Sequence, residues 1–502
     1  MRLRSPRFAL AAALLALASP AALRADETSS KIDEMEDLAL RQESHAKYEE
    51  ALDSFRQAFD LSVKDAVEAG EPARAARSRA RAEVYLEKID ALSGKTSGHR
   101  RAEEFLRGFK AEDLGPVLKG RVDWERVRFL RQAGMVDESR DLLGSLGFVT
   151  KWWIVGPFDN ERGRGFAEKQ GPASEEGLAV DLSAVYTGKE RQVAWRAVPA
   201  VHPYGWVDLD AMLRPNDQCL AYAATWIRCD GPREVALRIG SDEAVVAWVN
   251  GTEVLRRDVI RNGGFDQDVV GVSLAKGWNR ILLKVCDNTG PWGFRLRVTE
   301  RDGTPITDLA VPASEEELAA ASADPAADAP AGKVEASRGA LDALEPAAPR
   351  GATAEEGSED ARAYFWLGLL HRSRQYDDQK ADQTDRKYFE RAARLRPDDP
   401  VYRFHAAESA TRPIEMAVEK EENAQRRGRE KALELDPDYA EAYFALAAYY
   451  TFSLPNLPRA EELVRKAIAV NDSFLEAHLL LVDVLRRRGF ATEAEIELRG
   501  IL

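Results

Sequence analysis

The side chains that could do chemistry in this chain are few and scattered. Six histidines occur, His45, His99, His202, His371, His405 and His478, and none stands at a metal-ligand spacing. Cys286-Asp287 sets a thiol beside a carboxylate, but no histidine follows until residue 371 to act as its base. A buried structural thiol is the simpler reading. There is no phosphate-binding loop and no dinucleotide fingerprint. None of the 85 acidic residues is singled out as half of a glycosidase pair. The expectation is a protein that is not an enzyme, with no cofactor and no metal. Asp242 and Glu243, adjacent acids before an apparent strand, are candidate ligand-binding groups; an aspartate capping its own turn is the competing reading. Asn262, Asp266 and Asp268 add polar groups in a glycine-rich loop, without a defensible ligand spacing.

Tryptophan is the other chemistry on offer. Eight of the ten lie between Trp152 and Trp292. A flat aromatic can stack on a sugar ring, or it can fill a core with its N–H bonded to backbone. Trp226 and Trp278 lie in or beside apolar runs and read as core, as do Trp153 and Trp248. Trp206 and Trp292 sit among Gly, Pro and Tyr and are the candidate ligand platforms.

Elements must position these residues, and 502 residues are too many for one core. Arg2, Arg4 and Arg7 precede an apolar run from Phe8 to Leu17, Pro20 breaks it, and Ala25 offers a cleavage point, which together read as a signal peptide over 1–25. The run is far shorter than the ~20 residues a bilayer needs, so no membrane insertion is expected after cleavage, and the protein should be periplasmic or extracellular. Cleavage removes four arginines and leaves 67 basic against 85 acidic residues. Such a chain is repelled by nucleic acid and anionic lipid. The basic run Arg74, Arg77, Arg79 and Arg81 reads as a solvated helix face. Three cysteines make no disulfide framework; Cys229 with Cys286, or three buried thiols, are both open.

Residues 30–148 read as helical: Tyr48, Ala51, Phe55 and Ala58 form one buried stripe, and a helical pair flanks Gly134. Over 149–302 the period becomes two. Short runs at 220–227, 234–239, 245–249, 269–274, 281–285 and 294–298 predict an antiparallel β-sandwich of the jelly-roll kind. Asn250-Gly251 predicts a two-residue hairpin turn. Residues 303–358, rich in Ala, Pro, Glu and Asp, read as a flexible, disordered linker with one short helix near Glu315 to Ala320. From 359 to 502 helices return. The segments Ala392 to Pro397, Lys431 to Pro437 and Lys466 to Asp472 recur at intervals of 40 and 35, the longer implying an inserted loop near 376–384 or 411–415.

That ladder, with Trp366-Leu367-Gly368, Tyr443 with Ala445-Leu446-Ala447, and the Asp436-Pro437 close, resembles the tetratricopeptide repeat family. The resemblance implies an α-solenoid whose groove holds a protein partner. The middle region, through Trp153 to Asn160, Asp181 to Tyr186, Gly240 to Glu243, Trp248 to Gly251, Leu274 to Asn279 and Trp292-Gly293-Phe294, resembles the galactose-binding-like jelly rolls that accompany family 2 glycoside hydrolases. It implies a glycan as candidate partner. In related lectin-type jelly rolls two adjacent aspartates hold calcium; here the second is Glu243, a departure from that pattern. The order of parts is also similar to the front of longer proteins ending in a transglutaminase-like peptidase, an alternative to the exported scaffold, as is a purely structural protein–protein scaffold.

Overall fold

Helical and pleated periodicities alternate along the chain as the side-chain spacing requires. The structure is a computed structural model that describes residues 20–174, 180–199, 204–324, 329–347, 360–376, 384–409 and 418–501. Most of the expected signal peptide, residues 1–19, and His202 lie outside these residues. So do 377–383 and 410–417, where the inserted loop was expected.

The fold is mixed α+β, with N-terminal helices, antiparallel sheets and a C-terminal helical region. The leading helices are α1 Pro20–Ser44, α2 Tyr48–Glu68, α3 Pro72–Lys95, α4 His99–Arg107, α5 Ala111–Leu114, α6 Pro116–Gln132 and α7 Val136–Gly144. The strands are β1 Trp153–Asp159, β2 Val185–Thr187, β3 Gln192–Ala194, β4 Arg196–Ala197 and β5 Val207–Asp208. After the one-turn α8 Leu209–Met212 come β6 Cys219–Cys229, β7 Arg233–Asp242, β8 Val245–Val249, β9 Thr252–Arg257, β10 Asp268–Leu274, β11 Gly277–Cys286 and β12 Gly293–Glu300. Then follow α9 Glu315–Ala323, β13 Lys333–Val334, α10 Ala340–Leu344, α11 Ala361–Arg374, α12 Thr384–Leu395, α13 Pro400–Glu408, α14 Val418–Leu435, α15 Ala440–Phe452, α16 Leu457–Val470, α17 Leu475–Arg487 and α18 Ala491–Ile501. Among the described residues no helix is long and apolar enough to cross a membrane.

Two compact units emerge, and neither follows a single stretch of sequence. One joins the chain up to Gly98 with Asp398–Ala407 and Arg426–Leu502; the other comprises His99–Pro397 and Glu408–Gln425. The borders expected near 148 and 358 both fall inside the second unit.

In the first unit the stripe of Tyr48, Ala51, Phe55 and Ala58 is buried as its spacing requires. Helices from early and late in the sequence meet here. Tyr48 packs edge-on against Phe474, 5.7 Å between centroids, and its hydroxyl donates to Glu441 Oε1 at 3.0 Å. Lys95 Nζ donates to the same oxygen at 2.9 Å, and His45 Nε2 lies 2.9 Å from Asp436 Oδ2. The arginine run of α3 is not a solvated face. Arg81 is buried against Asp33 and Glu36, and Arg74 holds the buried Asp65. Arginine in an alanine-rich helix reads as surface from sequence because its acidic partners, Asp33, Glu36 and Asp65, lie on other helices.

In the second unit, β4-β1-β6-β11-β8-β9 form one antiparallel sheet and β13-β10-β7-β12-β5 another. Each predicted run falls within a strand. On β6 the odd residues Cys219, Ala221, Ala223, Ile227 and Cys229 join a core shared with Val235, Leu237 and Ile239 of β7 and Phe294, Leu296 and Val298 of β12. Its even residues Leu220, Tyr222, Ala224 and Trp226 enter a second core with Phe158, Val193, Trp195 and Ala321. With both faces covered, the strand needs no polar alternation, which explains its unbroken apolar run. Asn250 and Gly251 both take positive φ, 49° and 77°, and close the two-residue turn between β8 and β9. The three cysteines are buried free thiols, and burial pushes Cys219 up to about 11 and Cys286 up to about 12.

The expected disordered linker is, in its described residues, folded onto the sheets. Leu318 and Ala321 of α9 enter the second core, β13 pairs with β10, and Leu341 and Leu344 are buried. Gly271 permits the β13 backbone to approach, since a Cβ there would lie 2.3 Å from the Val334 carbonyl oxygen. Alanines and main-chain hydrogen bonds do the anchoring, so the scarcity of large apolar residues misleads. Residues 325–328 and 348–358 lie outside the described ones.

Candidate functional site

Strand pairing brings the four predicted site residues to one region of the second unit. Gly293 faces Asp242 across β12 and β7 and Asp208 across β12 and β5. Trp292 directly precedes it, and Trp206 lies close by; a Cβ on Gly293 would come within 2.6 Å of the Trp206 ring.

Trp292 is not a platform. It is fully buried in the core between the sheets, and its indole N–H has no partner among the described residues. The Gly-Pro-Trp-Gly context that reads as an open loop turns inward just before β12, where the Trp292 side chain closes the end of the core. Trp206 is half-buried. Its ring rests on the main chain at Gly263 and Gly293, where a Cβ would lie only 2.2 and 2.6 Å away, and the Arg295 guanidinium sits 5.0 Å from the ring centroid. Its stacking surface is therefore largely used within the protein.

Asp242 and Glu243 are buried, and the protein satisfies them. Glu243 Oε2 accepts from Asn288 N at 3.0 Å and from its Nδ2 at 2.6 Å; Asp242 Oδ2 accepts from Gly263 N at 3.4 Å. Among the described residues no group of three or more His, Cys, Asp or Glu is placed to hold a metal ion. The calcium pair that the lectin resemblance suggested therefore has no supporting ligand set.

Behind them stands a residue that sequence reasoning weighed only as the neighbour of a thiol. Asp287, after β11, is fully buried with both oxygens unpartnered among the described residues. Burial, with Glu243, Asp217 and Asp242 adding repulsion, pushes its carboxyl up to about 8, and burial with Glu243 pushes Asp242 up to about 7. A carboxyl with a raised folded pKa contributes stability that is complete below its unfolded value and lost as pH rises through the folded one. The second unit should thus weaken between about pH 4 and pH 8 on account of these groups. Asp287→Asn should raise stability at pH 8.5 by about 1–3 kcal/mol and flatten that slope, which urea unfolding at pH 5.5 and 8.5 measures. Equal changes at both pH values would refute the assignment.

The outward face of β7 and β12 carries a denser polar layer. Along β12, Phe294, Leu296 and Val298 turn to the core, so Arg295, Arg297 and Thr299 turn away from it. Helix α6 and the 261–267 loop cover that face. Trp124 of α6 stacks on Phe265 at 4.9 Å, and Arg297 and Arg121 lie over the Phe265 ring at 4.7 and 5.6 Å. Asp266 binds Arg297 through both oxygens, at 2.8 and 2.5 Å, and Arg238 at 3.3 Å. Arg295 spans Trp124, 4.7 Å to the centroid, and Trp206. The alternation Phe-Arg-Leu-Arg-Val was the available signal: arginines at every second position of a strand must meet either solvent or a charged lid.

In the helical regions, consecutive helices end at Leu395, Leu435 and Val470 and restart at Pro400, Ala440 and Leu475. Helix α16 packs on both α15 and α17, and α17 on α18. Leu475 and Leu479 of α17 and Ile496 and Leu498 of α18 remain 49, 47, 66 and 41 % exposed.

No protein-family model matches the sequence, and no curated protein shows significant similarity to it. Among solved structures, the crystal structure of MamA is similar over 32 % of this chain and 85 % of that one, at 15 % identity and a TM-score of 0.26.

Proposed function

We propose that the chain is an exported, non-catalytic binding and assembly protein. Its C-terminal helix pairs are read as a tetratricopeptide-type solenoid that holds a protein partner. Its two sheets are read as a galactose-binding-like jelly roll that presents a second recognition surface, to a glycan or another protein. The carrying observation is the set of exposed leucines and isoleucine on α17 and α18, two helices packed against each other. Apolar side chains left in water on adjoining elements mark a surface that is covered by something else. With Trp292 in the core and the Trp206 ring resting on Gly263, Gly293 and Arg295, neither predicted platform carries the glycan reading, which rests on the jelly-roll resemblance. The export reading rests on the arginine-led apolar start at residues 2–17.

Cross-linking in intact cells, followed by recovery of the full chain, tests the partner reading. Leu479→Glu with Ile496→Glu should cut capture of the same partner about tenfold or more, since interface anchors dominate binding. Circular dichroism should stay unchanged. Unaltered capture by the folded double variant would remove the helical surface from the proposal.

A further inference from the structure

In and beside the layer outside β7 and β12, four of five arginines reach one of two carboxylates, and the fifth reaches neither. Arg297 and Arg238 share Asp266. Arg121 lies 3.3 Å from Glu125, which also takes Arg128. Arg295 is nine-tenths buried, yet no carboxylate, carbonyl or hydroxyl accepts from it among the described residues, and its Nε and Nη1 are without a hydrogen-bond partner. Burial, then Arg121 and Arg128, push its guanidinium down to about 10. Burial disfavours either sign of charge there, whereas Arg121 and Arg128 favour an anion over a further cation.

The geometry says how the anion would be held. The indoles of Trp124 and Trp206 lie within 4.7 and 5.0 Å of the guanidinium, so cation–π contact fixes the orientation of the group. Its N–H groups lie in the guanidinium plane, along which arginine grips a carboxylate or phosphate with two parallel bonds, and Nε and Nη1 are buried there without a partner. An arginine with its plane fixed and its edge unsatisfied is a preformed fork. We propose that Arg295, clamped between Trp124 and Trp206, anchors a binding site for an oxyanion group, a carboxylate or a tetrahedral phosphate or sulfate. Its partner on a ligand would be the acidic group of a peptide or sugar, or a free anion. This site is separate from the surface on α17 and α18, and either can fail alone.

Titration of the full chain with inorganic phosphate, sulfate and acetate, each against chloride at equal ionic strength, tests it. Tryptophan emission is the readout, because Trp124 and Trp206 border the cation. The expected result is a saturable change with a dissociation constant on the order of millimolar. Saturation by acetate alone assigns the site to carboxylates; saturation by phosphate or sulfate assigns it to tetrahedral anions. Arg295→Met should weaken binding at least about tenfold, and Arg295→Lys, which keeps the charge and loses the fork, should weaken it severalfold. Arg295→Lys carries the test should the methionine variant fail to fold. Arg140→Met, at an exposed arginine of α7, should bind as the parent does. A response that never saturates, or one equal in the Arg295 variants, would overturn the proposal.

Discussion

Asp266→Ala should destabilise the second unit by about 3–5 kcal/mol, the loss expected when one partner of a buried ion pair is removed and the other stays buried. Two guanidiniums, Arg238 and Arg297, are almost wholly inaccessible and share this carboxylate. Burial by itself would raise the Asp266 carboxyl; Arg297, then Arg238 and Arg121, more than offset it and hold the group below its ordinary value. The contribution is therefore present above the unfolded carboxylate value and lost as pH falls through the depressed one. Urea unfolding at pH 7 and pH 3 measures both parts: a large deficit in the variant at pH 7, and a smaller one at pH 3. A deficit under 1 kcal/mol at pH 7 would mean that the arginines are served by something else. The pH trend is opposite to that of Asp287, so the two carboxylates narrow the stable range from the acid and alkaline sides.

Phe474→Ala should cost the first unit about 3–5 kcal/mol, as expected for deleting a buried aromatic ring that its surroundings cannot close over. Phe474 is 2 % exposed and packs on Tyr48 of α2 and on Phe444 of α15, at 5.7 and 5.3 Å. Because that ring joins helices from both ends of the sequence, the loss should appear in both. Amide exchange of residues 48–95 should speed up together with that of 440–487. Exchange that rises on the C-terminal helices alone would show that the N-terminal hairpin stands without them.

Much of the secondary structure was legible, for local reasons. The apolar run of β6, the Asn250-Gly251 turn and the Tyr48-to-Ala58 stripe each state their conformation within a dozen residues. Helix α9 appeared where Ser314 and three glutamates announce a capped start; Ser314 Oγ accepts from Glu317 N at 3.2 Å. What stayed hidden depends on distant partners. Asp266 looked like one polar residue in a glycine-rich loop, because Arg238 and Arg297 reach it from two other strands. Trp292 looked exposed, because its glycine and proline neighbours describe the turn and not the side on which the indole falls. The stretch 303–358 looked unstructured, because alanines and backbone pairing to β10 hold it, neither of which shows in a count of large apolar residues. Of the four predicted site residues, the position in the chain was informative and the chemistry was not: they cluster, yet one is core and the acids bind the protein itself.

The pairing of α1–α3 with α14–α18 also dictates an order of events during synthesis. At about 5–20 residues per second, the helices made first wait some tens of seconds before the last ones leave the ribosome. For that interval Tyr48 has no Phe474 to close against, and the early hairpin presents an unfinished face. Burial of Tyr48 therefore waits for the helices that carry Glu441 and Phe474, and a nascent chain stalled before residue 440 leaves that side chain open to other contacts.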